Sequence, residues 1–321
     1  MQTSPIANWI PYKLNYTSSR EWMVKWLDLA DQRMVLPFFD ETIAACRIRQ
    51  RQRSSLESMS VMDFVAEVGK GLPALEPSAF VFHVSRCGST LLSQAFTAPE
   101  ENIIVAEAPL LDEILRAPEH QPDLPHETRE DWFRAAIRLM GQQRNGNEQH
   151  YIVKLDSWHI HFYELLRQWY PHTAFFFLYR QPDEVIASHD KRRGIHAVPG
   201  MVSPTLLKTA GPEHFGGDFN RYTAQVLHQF YIKLQSILGL KNACNCFFDY
   251  ADGVPEMITA FSSFSRVPVK SEEQVRDRLK YHSKASQEVF KPESFDNRER
   301  FFFQDCHNAY TQFRSSHTST I

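Results

Sequence analysis

This sequence has no surplus of basic residues and few cysteines. Thirty-five lysines and arginines stand against 38 aspartates and glutamates, a formal net charge of −3. A chain that neutralises a nucleic-acid backbone carries surplus positive charge, so no nucleic-acid partner is expected. The five cysteines, Cys46, Cys87, Cys244, Cys246 and Cys306, are odd in number and scattered. That set excludes a disulfide framework and reads as the reduced thiols of a cytoplasmic protein. Cys244-x-Cys246 has the wrong spacing for a zinc knuckle, and His159-x-His161 has no carboxylate at ligand spacing, so no metal is expected. No segment approaches the ~20 apolar residues that span a bilayer. The first residues, MQTSPIANWIPYKLNY, lack a basic stretch followed by an apolar one, so neither a leader nor a membrane anchor is expected.

What is present is a large apolar inventory. The chain of 321 residues is 43% hydrophobic and holds 24 phenylalanines, ample for a sizeable core and contrary to disorder. Short apolar runs alternate with helical patterns: Ala79–Val84, Asn102–Ala106, Tyr151–Asp156, Ala174–Tyr179 and Asn245–Tyr250 read as strands. Glu127–Met140 and Phe219–Leu238 read as amphipathic helices. The alternation predicts an α/β fold, a P-loop-like three-layer α/β/α arrangement around a mainly parallel central sheet. Residues 1–78 read as a mostly helical N-terminal extension and 79–321 as the α/β domain. The run Arg47–Arg53 reads as a solvated helix face, with a patch for an anionic acceptor as the competing reading. Prolines and glycines between Ile195 and Gly217 suggest a long flexible segment of the kind that closes over substrates.

The organising stretch is Ala79–Phe96, AFVFHVSRCGSTLLSQAF. Strand, tight polar loop and helix would turn backbone N–H groups and a helix dipole toward an anion. Gly88 would let a phosphate approach the backbone, Ser85, Ser89 and Thr90 bring hydroxyls, and Arg86 brings a fixed charge. The loop is not a nucleotide-triphosphatase loop. Ser89 stands where G-x-x-x-x-G-K-[ST] requires its lysine, and His83 where it requires its first glycine. Nor is it a Cys-x5-Arg phosphatase loop, since Ser93 occupies the arginine position. In parallel sheets ligands gather at the carboxyl ends of strands. That rule puts the 85–90 loop, Glu107, Lys154–Asp156 and Arg180 on one rim.

Two of these pieces together resemble the sulfotransferases that use 3′-phosphoadenosine 5′-phosphosulfate (PAPS). Val84-Ser85-Arg86-Cys87-Gly88-Ser89-Thr90-Leu91-Leu92 is similar to that family's 5′-phosphosulfate loop, in the arginine-containing form of bacterial and tyrosylprotein-type members. Phe177–His189, with Arg180, an Asp183-x-Val185 pattern and Ser188, is similar to its 3′-phosphate element. A third piece, Phe247 to Lys284, is similar to the C-terminal region in which a basic residue helps hold the cofactor. The resemblance implies that Ser85, Arg86, Cys87, Gly88, Ser89, Thr90, Arg180, Ser188 and Lys284 bind PAPS as co-substrate, without a metal. Cytosolic members carry K-[ST]-H after the next strand, with histidine as base. Here the stretch is Lys154-Leu155-Asp156, so the base must be a carboxylate. Tyrosylprotein-type members place a glutamate as Glu107 stands here.

The expected roles are then a base at Glu107, with Asp156 second, and stabilisation of the transferring group by Arg86 and Lys154. Simpler readings compete. Glu107 could serve the helix that follows it, Asp156 could be an N-cap, and Lys154 could be an exposed lysine. Two other functions stay open: an atypical P-loop kinase, against which the missing lysine argues, and a PAPS-binding scaffold without catalysis, which the absent histidine allows. The acceptor, a small molecule or glycan, is not written in the sequence, and a homodimer stays open.

Overall fold

The computed structural model describes residues 6–269, 281–282, 285–289 and 298–319. Its centre is a five-strand parallel sheet flanked by helices, the architecture the alternation predicted. The strands are β4 (Ala79–His83), β5 (Asn102–Ala106), β6 (His150–Lys154), β7 (Ala174–Tyr179) and β8 (Asn245–Asp249), in the order β5-β6-β4-β7-β8. β5 pairs with β6 in parallel from Asn102↔His150 to Ala106↔Lys154, and β7 pairs likewise with β8 from Phe175↔Asn245 to Tyr179↔Asp249. Every residue of β4 and β5 is buried. Such strands need apolar side chains on both faces, which is why they read as continuous apolar runs.

By internal contacts the chain forms two compact units. The first takes residues 1–80, 93–155 and 267–287. Its opening corrects the expectation of a mostly helical extension. Residues 9–28 form an antiparallel hairpin of β1 (Trp9–Tyr16) and β2 (Trp22–Asp28), and β3 (Met59–Val61) joins β2. Ile10 and Leu14 stand opposite Leu27 and Val24, and Ile10, Tyr12 and Leu14 are buried at alternate positions. That period of two favours a strand over a helix. Pro11 cannot donate to the ladder, and the register shifts just there, between Pro11 and Lys13. Two helices do follow, α1 (Phe39–Arg53) and α2 (Met62–Gly69). The basic run lies on α1 and is largely matched locally: Arg47 with Glu57, Arg49 with Asp31 and Arg53 with Asp28, at 3.0–3.1 Å. Such exposed pairs contribute about 0–1 kcal/mol each. This unit also contains α4 (Pro109–Leu115) and α5 (His126–Met140). On α5, Trp132, Phe133, Ala136, Ile137 and Met140 are all buried, as the pattern predicted.

The second unit takes residues 81–92, 156–266 and 288–321. It contains α6 (Tyr163–Trp169), α7 (Pro182–Lys191), α8 (Pro204–Leu207), α9 (Phe219–Gly239), α10 (Val254–Ser265) and α11 (Gln304–Thr318). α3 (Ser89–Ala95) begins in this unit. Asp218 caps α9 by accepting from the backbone N–H groups of Asn220 and Arg221 at 3.0 and 2.9 Å. The 195–217 segment is not an open loop. It winds through short helical turns that bury Ala197, Val202, Leu207 and Phe215, and Ser157 and His196 share a hydrogen bond at 3.2 Å. Two of its three prolines, Pro204 and Pro212, start helical turns instead of breaking structure, at the first positions where a missing N–H costs nothing. Among the described residues no helix is long and apolar enough to cross a membrane.

His161 in this unit gives a measurable pH response. Its ring lies 5.5 Å from that of Phe230, and neither ring nitrogen has a hydrogen-bond partner among the described residues. Burial, reinforced by Lys208 and Lys233, pushes its pKa down to about 3. In the unfolded chain the imidazole takes a proton near the ordinary histidine value of about 6.5. Above that value both states are neutral. Below it the unfolded state binds the extra proton, so stability falls as pH drops from 6.5 toward 3, by about 2 kcal/mol at pH 5. His161→Phe removes that part of the slope. Urea unfolding of both proteins at pH 7 and pH 5 checks it, and equal losses in the two proteins would contradict it.

Candidate functional site

The loop after β4 has the backbone of an anion cradle. Ser85, Arg86 and Gly88 all lie in the left-handed region, at φ of 73°, 51° and 82°. For Ser85 and Arg86 that costs about 1–3 kcal/mol each, strain that persists only where its surroundings enforce it. Left-handed residues among right-handed ones turn successive N–H groups into one concavity. The Ser85 N–H donates to His83 Nδ1 at 3.1 Å, and the Val84 N–H to the Leu178 carbonyl at 3.1 Å, so the loop's entry is anchored. Cys87 is fully buried, with Sγ 3.5 Å from the Leu178 carbonyl, and Ser89 and Thr90 are buried at the start of α3. Arg86 is partly exposed, and its Nη2 donates to the Arg192 carbonyl.

Arg180, at the carboxyl end of β7, meets this loop directly. Its Nη1 donates to the Arg86 carbonyl at 2.9 Å, and its Nε to Glu184 at 2.7 Å. Tyr231 fixes its backbone through a 2.5 Å hydrogen bond to the Arg180 carbonyl. A guanidinium has five donors, and Nη2 of Arg180 has no protein acceptor among the described residues. The loop and the second arginine, 94 residues apart, are thus one structural piece. Ser188 lies on α7, half-buried, in its last turns. Lys284 lies outside the described residues.

Tyr250 is the residue that sequence reasoning missed here. Its ring stacks on Arg180, with the guanidinium carbon 4.8 Å from the ring centroid. A Cβ at Gly88 would stand 2.6 and 2.7 Å from two carbons of the same ring. The absence of a side chain at Gly88 therefore makes room for Tyr250 as well as for the turn. Position alone could have flagged Tyr250, since it follows β8 at the strand's carboxyl end. Gly88→Ala should cost about 3 kcal/mol, from the left-handed φ together with overpacking. Its urea midpoint measures this, and an unchanged midpoint would contradict the contact.

Asp156 sits where an N-cap belongs. It precedes the helical turn Ser157–Phe162, and its N–H donates to His159 Nδ1 at 3.3 Å. The two side chains form a capping box, with His159 Nε2 3.8 Å from Asp156 Oδ2. That geometry favours the capping reading over the base.

In the first unit, Glu107 and Lys154 form an ion pair at the carboxyl ends of the paired strands β5 and β6. The Lys154 side chain is fully buried, and that of Glu107 is 23% exposed. Lys154 is therefore no surface lysine; an ammonium that deep requires a partner. Glu107 is itself left-handed, at φ 57°, and its N–H donates to the Lys154 carbonyl at 2.8 Å. The Lys154 Nζ also lies 5.3 Å from the centre of the Phe38 ring. Asp40, in the first turn of α1, belongs to the same neighbourhood. Burial raises its pKa and the Glu107 charge raises it further, while Lys13 opposes. Asp40 was not legible as a site residue in advance, because its approach to Glu107 is a long-range one.

No family model matches the chain, and no curated protein matches it. Among solved structures, the chain is similar to the sulfotransferase domain from the curacin biosynthetic pathway, at 14% identity and a TM-score of 0.44, over 75% of this chain and 98% of that one. It is similar to the sulfotransferase domain from the Synechococcus PCC 7002 olefin synthase, at 14% and 0.41, over 76% and 96%. Mouse sulfotransferase SULT7A1 complexed with PAP is similar at 9% and 0.40, over 79% and 88%.

Proposed function

We propose that this protein is a sulfotransferase that moves a sulfuryl group from PAPS to a hydroxyl or amine of an acceptor. The observation that carries the reading is the hydrogen bond from Arg180 to the Arg86 carbonyl. It ties a strained N–H cradle to a second cation with donors to spare, an arrangement suited to a ligand with two phosphates. The loop N–H groups, with Ser85, Cys87, Gly88, Ser89 and Thr90, take the 5′-phosphosulfate. Arg180 and Ser188 take the 3′-phosphate, and Lys284 is the further basic contact. No metal enters this reading.

In the transfer, the acceptor oxygen or nitrogen forms a bond to sulfur while the bond from sulfur to the bridging phosphate oxygen breaks. That oxygen keeps the electron pair, and Arg86 stabilises the charge developing there. The acceptor's proton passes to the Glu107 carboxylate, which the ion pair with Lys154 orients. Asp156 is the lesser candidate for base because it caps a helical turn. The acceptor is a small molecule or glycan, and a screen of acceptors with labelled PAPS tests the reading. Labelled product supports it. Bisphosphate binding with no transfer to any acceptor supports the second reading instead, a PAPS-binding protein without catalysis. The closed Glu107–Lys154 ion pair favours that alternative, since a carboxylate held by a buried ammonium is a weak base.

A further inference from the structure

A second candidate site, with two arginines in its wall, lies at the opposite end of β5, independent of the proposed transferase reaction. Glu107 follows the last residue of β5, whereas Asn102 is its first, and five strand residues span roughly 17 Å. Beside Asn102 and Ile103 is a cavity of about 380 Å³, lined by Arg33 and Arg144 among others. The Arg144 side chain is half-buried, yet its guanidinium has a single protein acceptor among the described residues, the Gln32 carbonyl at 3.0 Å from Nη2. Arg144 lines the cavity. Arg33 is held in place by the carbonyls of Thr97, Ala98 and Pro99, at 2.9, 3.4 and 2.8 Å. The two guanidinium charges act on each other: burial lowers the Arg144 pKa, Glu148 opposes this, and Arg33 lowers it further.

Three carboxylates, Asp31, Glu100 and Glu148, line the same cavity, and among the described residues none accepts a hydrogen bond from either guanidinium. Asp31 is engaged by Arg49 at 3.0 Å and its side chain is 91% exposed. Glu148 is buried and already accepts the backbone N–H groups of Arg144, Asn145 and Gly146 at 3.0–3.1 Å. Glu100 stands in solvent. Two like charges held side by side, one with donors unused, are stabilised by an anion that accepts from both. We propose that this cavity binds a small tetrahedral oxyanion, phosphate or sulfate, free or as the head of a monoester. Arg144 is its principal donor, Arg33 lends charge, and Ile103 with Met34 gives a monoester's organic part an apolar wall.

The test uses the full chain with inorganic phosphate and, separately, phenyl phosphate, at constant ionic strength set with chloride. Phosphate can also enter the 85–90 loop, which Arg180→Ala leaves in place, so the readout is the difference between titrations of the Arg180→Ala variant with and without Arg144→Gln. Phosphate is expected to bind Arg180→Ala, and Arg144→Gln to weaken that binding by about tenfold or more. Tighter binding of phenyl phosphate identifies a monoester as ligand, and equal binding identifies the free ion. A second measurement needs no variant. Phosphate should slow phenylglyoxal modification of Arg144 in the native protein and leave exposed Arg51 unprotected. Equal modification of Arg144 with and without phosphate, or unchanged affinity in Arg144→Gln, overturns the proposal. Neither result bears on nucleotide binding at the loop.

Discussion

Replacing Arg180 with alanine is expected to weaken binding of adenosine 3′,5′-bisphosphate about a hundredfold. The proposed contact is a charged fork on a phosphate, and hydrogen bonds between ionised partners contribute about 1.5–3 kcal/mol each. A hundredfold change corresponds to about 2.7 kcal/mol, so one or two such bonds account for it. The alanine variant also loses the bond to the Arg86 carbonyl and the stacking on Tyr250. Part of the loss would then come from a loosened loop. Arg180→Lys separates the two contributions, because lysine restores the charge without the fork. Lysine should recover a fraction of the affinity in calorimetric titration. Undiminished affinity in Arg180→Ala would remove the second phosphate from the proposal.

The other large effect is expected at Glu107. Glu107→Gln keeps the shape of the side chain but cannot take a proton, so transfer from PAPS should fall about a hundred- to ten-thousandfold. Bisphosphate affinity should not change. The variant leaves the fully buried Lys154 ammonium facing an amide, so a loss of stability is expected too. Rates are therefore compared at a temperature where circular dichroism shows both proteins folded. The measurement is labelled-sulfate transfer to whichever acceptor the screen identifies. Transfer at the native rate would remove Glu107 from the role of base, and Asp40 and Asp156 would become the carboxylates to test.

What could be read in advance follows physical lines. β4, β5 and β7 announced themselves because strands covered on both faces must be apolar throughout, and such runs are local. The α5 stripe was legible for the same reason: one helix face, one period. The hairpin at residues 9–28 escaped because Leu27 and Leu29 follow Trp26 out of alternation, and the flanking charges imitate a helix surface. At the site, single residues were legible and their partnerships were not. Glu107 and Lys154 each end an apolar strand, but their pairing depends on β5 lying beside β6. Gly88 reads as a turn glycine, whereas the Tyr250 ring that excludes a side chain there arrives 162 residues later in the chain. Asp156 shows the reverse case, in which the local pattern of Asp156 and His159 carried the cap and long-range chemistry was the less economical reading.

The central claim is that the 85–90 loop and Arg180 together hold a nucleotide with phosphates on both its 3′ and 5′ sides, without a metal. Calorimetric titration of the full chain with adenosine 3′,5′-bisphosphate in the presence of a chelator, beside titration with ATP and magnesium, tests it most directly. Saturable binding of the bisphosphate, together with negligible binding of ATP, is the expected result. Binding of ATP with magnesium and none of the bisphosphate would contradict it.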